Sequence, residues 1–140
     1  MKVFLDDVVS VLVAANVGVY GSTIFIGAKA SLPVGDAAFL TLSATGGAPP
    51  IGTHNSTAAP AYVRPSAQVV ARSIRLAPAE SMADAAYRAL FGIRNRFING
   101  TWWVKLVLRQ EPFELGEDEN GRPRVAFNFE CEKRLSPLES

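Results

Sequence analysis

The sequence predicts an α+β fold: a mostly antiparallel sheet of about five to six strands carrying two helices. Three observations predict it. Residues 65–76 are rich in β-branched side chains and contain no glycine, which suits a strand, and they lead directly into a helical run. In that run Met82, Ala86, Leu90, Ile93 and Phe97 recur at the spacing of one helix face. Residues 124–133 alternate cleanly, with Val125, Phe127, Phe129 and Cys131 on one face and Ala126, Asn128, Glu130 and Glu132 on the other. The expected order is α-β-β-loop-β-α-β-β.

From the N-terminus, residues 3–15 read as a helix with Phe4, Val8 and Leu12 on its apolar face and Leu5, Val9 and Val11 on the flank. Asp6 and Asp7 fall in its first turn, where the helix dipole favours negative charge, and Asn16 and Gly18 end it. Residues 23–26 form a short strand closed by Gly27, and 37–44 form the next. The stretch 45–64 has several glycines and prolines and no periodicity. It reads either as a mobile surface loop or as an arm that orders against a partner.

The helix after the central strand starts near Pro78, with Glu80 and Asp84 in its early turns and Arg88 placed to pair with Asp84. It is expected to continue through Phe97 and to stop at Asn99-Gly100, both of which tolerate the left-handed backbone. Residues 101–109 form a strand with Trp102, Val104, Leu106 and Leu108 on one face. Thr101, Trp103, Lys105, Val107 and Arg109 lie on the other. Trp103, on the more polar face, is either an exposed aromatic anchor or is covered by a neighbouring loop. Asn120-Gly121 between two strand-like runs signals a hairpin.

With 140 residues, 49% hydrophobic and 19% charged, the chain fits one domain over 1–134, followed by a loose tail over 135–140. A net charge of +1 argues against strong nonspecific attraction to nucleic acid or membranes. The one cysteine, Cys131, excludes an intrachain disulfide, and the one histidine, His54, excludes any site that needs two. The apolar stretch 8–19 is too short to span a bilayer, and no basic flank marks it as a leader, so a soluble cytoplasmic chain is expected.

Little in the sequence points to chemistry. The acidic run Glu117, Asp118 and Glu119 lacks calcium-loop spacing and reads as a solvated turn. Gly46-Gly47 is not followed by the Lys-Ser/Thr of a phosphate loop. Arg72 and Arg75 fall on opposite faces of a regular strand and make no obvious anion clamp. Arg94, Arg96 and Lys105 form either a modest basic patch or the usual positive complement to a helix C-terminus. No catalytic residue, cofactor or metal is expected, and no enzymatic activity.

Several segments, in order, carry a resemblance. They are Val3-Phe4-Leu5-Asp6-Asp7-Val8-Val9, Ile24-Phe25-Ile26-Gly27, Thr45-Gly46-Gly47-Ala48-Pro49-Pro50 and Tyr62-Val63-Arg64-Pro65 leading to Gln68-Val69-Val70-Ala71-Arg72. Ala85-Ala86-Tyr87-Arg88-Ala89-Leu90 with Ile93-Arg94 follows, then Leu115-Gly116-Glu117-Asp118-Glu119-Asn120-Gly121-Arg122 and Asn128-Phe129-Glu130. In this order and spacing the chain resembles the small tail-terminator proteins of long-tailed bacteriophages, also described as minor capsid or tail completion proteins. The loop 54–61 departs from that pattern.

The resemblance implies a structural virion protein, assembled in the host cytoplasm. It implies a homo-oligomeric ring, a hexamer, at the head-proximal end of the tail tube. The ring would stop tube polymerisation, meet the tail tube protein on one side and head-completion or connector proteins on the other, and let DNA through its lumen without sequence-specific binding. Ring contacts are heterologous, one patch fitting a different patch on the neighbour. The candidate patches are the loop residues Gly46, Gly47, Pro49, Pro50, His54, Tyr62 and Arg64, the strand edge near Trp103, and the hairpin tip with Glu117, Asp118, Glu119 and Arg122. Alternatives are another neck or head-completion subunit, or a small ligand-binding domain or enzyme using His54 or the Arg72/Arg75 region.

Overall fold

One long strand at the end of the chain, β9 (Pro123–Arg134), is the axis of the structure. The computed structural model describes residues 4–27, 37–46, 48–51 and 62–134. In chain order these form α1 (Phe4–Ala14), β1 (Ile24–Ile26), β2 (Phe39–Ala44), β3 (Ala48–Ile51), β4 (Tyr62–Arg64) and β5 (Ser66–Arg72). Then come α2 (Leu76–Leu90), β6 (Arg94–Ile98), β7 (Thr101–Leu108), β8 (Phe113–Glu117) and β9. The fold is α+β, as the sequence predicts.

The described strands make one nine-stranded sheet. Along one edge β9 pairs with β5, from Arg72↔Arg124 to Ser66↔Glu130, and then with β4 at Lys133 and Arg134. Along its other edge it pairs with β8 near its start and with β7 near its end. Beyond β5 lie β2, antiparallel, and β1, parallel. Beyond β7 lies β6, and beyond β4 lies β3.

Both helices cover one face of this sheet. The buried side of α2 is Ala79, Ala83, Ala86 and Leu90, so the helix presents mostly methyl groups and its axis can lie close to the strands. Beneath it are Val69, Val125, Phe127 and Phe129, with Leu40 and Leu42 from β2. Tyr87 packs edge-on against Phe127, their ring centroids 5.6 Å apart. Pro78 sits in the first turn, where its missing N–H costs no helical bond, and Arg88 pairs with Asp84 at 2.9 Å as expected. α1 adds Leu5, Val8, Val9, Val11 and Leu12 to the same core. It ends in a left-handed cap: Asn16 has φ 59°, and the Val17 N–H reaches back to the Leu12 carbonyl at 3.0 Å.

Four strands are additions to the expected order: β8 is the strand-like run before the Asn120-Gly121 turn, and the other three each have a physical reason of their own. The second helix stops at Leu90 and does not continue to Phe97. Phe91 turns extended and Gly92 takes φ 82°, after which 94–98 become β6. Asn99 (φ 51°) and Gly100 (φ 81°) are therefore the two centre residues of a β6–β7 hairpin turn, not a helix cap. The left-handed preference was legible; which element it served was not. Ile93 keeps its place in the core, but Phe97 is 63% exposed.

The other two additions lie in the stretch read as a loop. There β3 and β4 pair antiparallel, Ala48 with Arg64 and Ile51 with Tyr62, with a register irregularity between. Pro49 and Pro50 hid this strand from a propensity reading. Prolines donate no ladder bond, and they are tolerated because β3 lies at the edge of the sheet.

Candidate assembly surfaces

The predicted patch residues fall in three places. At the β2–β3 connection Gly46 takes φ 98°, and the neighbouring Thr45 and Ser66 hydroxyls share a 2.7 Å hydrogen bond. Pro49 and Pro50 lie in β3, and Tyr62 and Arg64 are half-buried in β4. The structure thus brings these residues together as an arm added to the end of β9. Gly47 and His54 lie outside the described residues.

Trp103 is a correction. It is 0% exposed, and so it is no aromatic anchor on this surface. The cause is a bulge: Trp103 faces Lys133 and Lys105 faces Glu132, so Val104 is one residue too many for the ladder. The extra residue reverses the parity of β7. Thr101 and Trp103 point into the core before it, and Leu106 does so after it.

Around Trp103 lies a polar cluster that the sequence reading missed. The buried Asp7 carboxylate of α1 stands 3.9 Å from the Lys133 ammonium and accepts a 3.1 Å hydrogen bond from the Asn99 side-chain amide. Asn99 also donates to the Ser10 hydroxyl at 2.8 Å, and Lys133 lies 5.8 Å from the centre of the Trp103 ring. The cluster ties α1, the β6–β7 turn and the end of β9 together. Its signal was present, since Lys133 continues the inward parity of Val125, Phe127, Phe129 and Cys131.

At the hairpin tip the acidic run divides. Glu117 and Glu119 are exposed, whereas Asp118 turns inward and is a correction to the solvated-turn reading. Its Oδ1 accepts the N–H groups of Asn120 and Arg122, both at 2.9 Å, and its Oδ2 stands 3.6 Å from Arg72. Burial works to raise the Asp118 pKa, but those N–H groups, with Arg72 and Arg122, outweigh it and hold the carboxyl below its ordinary value. Arg122 is buried, with its guanidinium 5.4 Å from the centre of the Phe39 ring. Burial pulls Arg72 below the ordinary arginine value, Arg124 and Arg122 adding to this and Asp118 opposing it. Asp118 and Arg122 thus brace the hairpin against β5 and β2.

Two surfaces stand out instead. Register aligns Phe97 of β6, Trp102 of β7, Arg134 of β9 and Tyr62 of β4 in one cross-strand row. Directly opposed residues share a sheet face. Phe97 and Trp102 meet edge-on with centroids 4.8 Å apart, and Arg134 lies 5.9 Å from the Trp102 ring centre. The edge strand β6 also exposes Arg94 and Arg96, with Arg96 on the strand face opposite to Phe97. The second surface is a cleft of about 530 Å³ between α2 and the start of β8. Glu80, Asp84, Glu111 and Glu114 line it, with Tyr87, Pro112 and Val125.

Tryptophan, tyrosine and arginine gathered on one sheet face are the kinds of side chain that carry binding energy in protein interfaces. The model of a family described as bacteriophage tail terminator protein matches residues 11–134, and the chain belongs to that family. It is therefore a structural protein of the phage tail and a component of the virion, associating with other tail and head proteins. No curated protein matches the sequence. No helix among the described residues is long and apolar enough to cross a membrane. Among the same residues no group of three or more His, Cys, Asp or Glu side chains could hold a metal ion.

Proposed function

We propose that this chain forms a ring, a hexamer, at the head-proximal end of the tail tube. The ring stops tube polymerisation and gives the head-completion proteins a surface to bind, and DNA passes through its lumen. The family match over residues 11–134 carries this reading. Two features of the molecule support it. A subunit of net charge +1 packs around an axis without large self-repulsion. Among the described residues β3 and β6 each pair along one side only, and strand edges of that kind pair readily with further chains unless they are covered.

The test is the mass of the purified protein by light scattering over a range of concentrations, alone and after mixing with tail tubes. A discrete particle near six subunits, free or on the tube end, is expected. A monomer that neither assembles nor binds tube ends would reject the reading.

A further inference from the structure

The two charged surfaces carry opposite signs. Arg94 and Arg96 stand exposed on β6 and make no ion pair among the described residues. In the cleft Glu80, Glu111 and Glu114 likewise make none, and only Asp84 is compensated, by Arg88 at 2.9 Å. Unpaired charge of both signs therefore persists on a chain whose net charge is only +1.

Within one subunit these groups cannot meet. Val125, at the start of β9, lines the cleft. Arg94 pairs with Lys105, which lies opposite Glu132 near the other end of β9. Seven residues of strand separate the two levels, roughly 23 Å at ~3.3 Å per residue. The cleft also offers more than charge: Tyr87, Pro112 and Val125 give it an apolar lining.

We propose that the β6 edge of one copy, led by Arg94 and Arg96, docks in the acidic cleft of a second copy against Glu111 and Glu114. This rests on the ring reading and assigns the contact that closes the ring. Two different patches on identical subunits make a heterologous contact, the kind that propagates in one direction around an axis. Opposite charge steers the encounter and sets its register, and salt weakens it.

The test reverses each charge in the full-length chain. One variant is Arg94→Glu/Arg96→Glu, the other Glu111→Lys/Glu114→Lys. All four positions are exposed, and circular dichroism checks that each variant folds. Each variant alone is expected to lose the assembly that the wild type forms. An equimolar mixture is expected to regain it, because every reversed edge then finds a reversed cleft and every native edge a native one.

The readout is mass by light scattering, or co-sedimentation with tail tubes if the wild type assembles only there. A variant that assembles alone as the wild type does, or a mixture that stays apart while the wild type assembles, overturns the contact. A wild type that does not assemble by either readout overturns the ring reading and this contact with it. A restored particle of only two subunits keeps the contact and overturns the ring.

Discussion

The centre and the periphery of this sheet are built on different principles. At the centre β5, β9 and β2 hold Val69, Phe127, Phe129, Leu40 and Leu42 buried beneath a helix face of alanines and Leu90. There the side chains decide which residues form which element, because burying an apolar face fixes the register. At the periphery, Arg94, Asn95, Arg96 and Phe97 of β6 are all exposed, and β3 contains two adjacent prolines. Those segments are strands because a neighbouring strand offers its hydrogen bonds, and in β6 the side chains of Arg94, Asn95, Arg96 and Phe97 stay exposed.

The largest expected effect lies where the two regions meet. Lys133 follows the inward parity of the centre, but it carries a charge and faces Asp7. Lys133→Ala would leave the Asp7 carboxylate buried without its counterion, at a cost of roughly 3–5 kcal/mol. Urea denaturation would measure it. The double variant Asp7→Leu/Lys133→Met should recover most of the loss, since it removes both charges together. If Lys133→Ala costs under about 1 kcal/mol, the pair is not part of the core and the boundary between the regions lies further in.

A smaller effect is expected at the peripheral turn. Gly100 sits at φ 81°, where a Cβ is disfavoured, so Gly100→Ala should cost about 1–2 kcal/mol by the same denaturation. The loss should fall on the β6–β7 hairpin first. Hydrogen exchange would then quicken in β6 while the amides of β5 and β9 keep their protection.

Legibility in the sequence follows the same division. The alternation of β9, the strand β5, both helix starts and the Asn120-Gly121 hairpin were readable because each has one buried face or one demanding turn. The end of α2 was not, because Ile93 continues the helical spacing while Gly92 breaks the backbone before it. The side of Trp103 was not readable either, since one bulge residue inverts every later position in β7 and leaves no mark in composition. Of the candidate surfaces, the Arg94–Arg96–Lys105 patch was visible as charge, although on a strand and not at a helix end. The acidic cleft was invisible, because Glu80 and Glu114 come together only when β8 folds back beside α2.

Cys131 gives the finest test of how closed the centre is. It is buried on the core face of β9, and burial pushes its thiol up to about 12, with Lys133 opposing and Asp7 and Glu130 assisting. A thiol reagent should therefore leave the native protein unmodified at neutral pH and react only as the chain unfolds. The linked effect on stability has a definite sign. The folded pKa lies above the unfolded one, so below about pH 9 both states keep the proton and the group is neutral in its effect on pH dependence. Between about 9 and about 12 only the unfolded chain releases the proton, and stability falls as pH rises. At about pH 9.5 the loss should be about 1 kcal/mol or less relative to neutral pH. Other groups also titrate there, so the comparison is with Cys131→Ala, whose stability should decline less steeply over the same range. Equal slopes for the two proteins would mean that water reaches Cys131, and that the centre of the sheet opens more readily than its packing indicates.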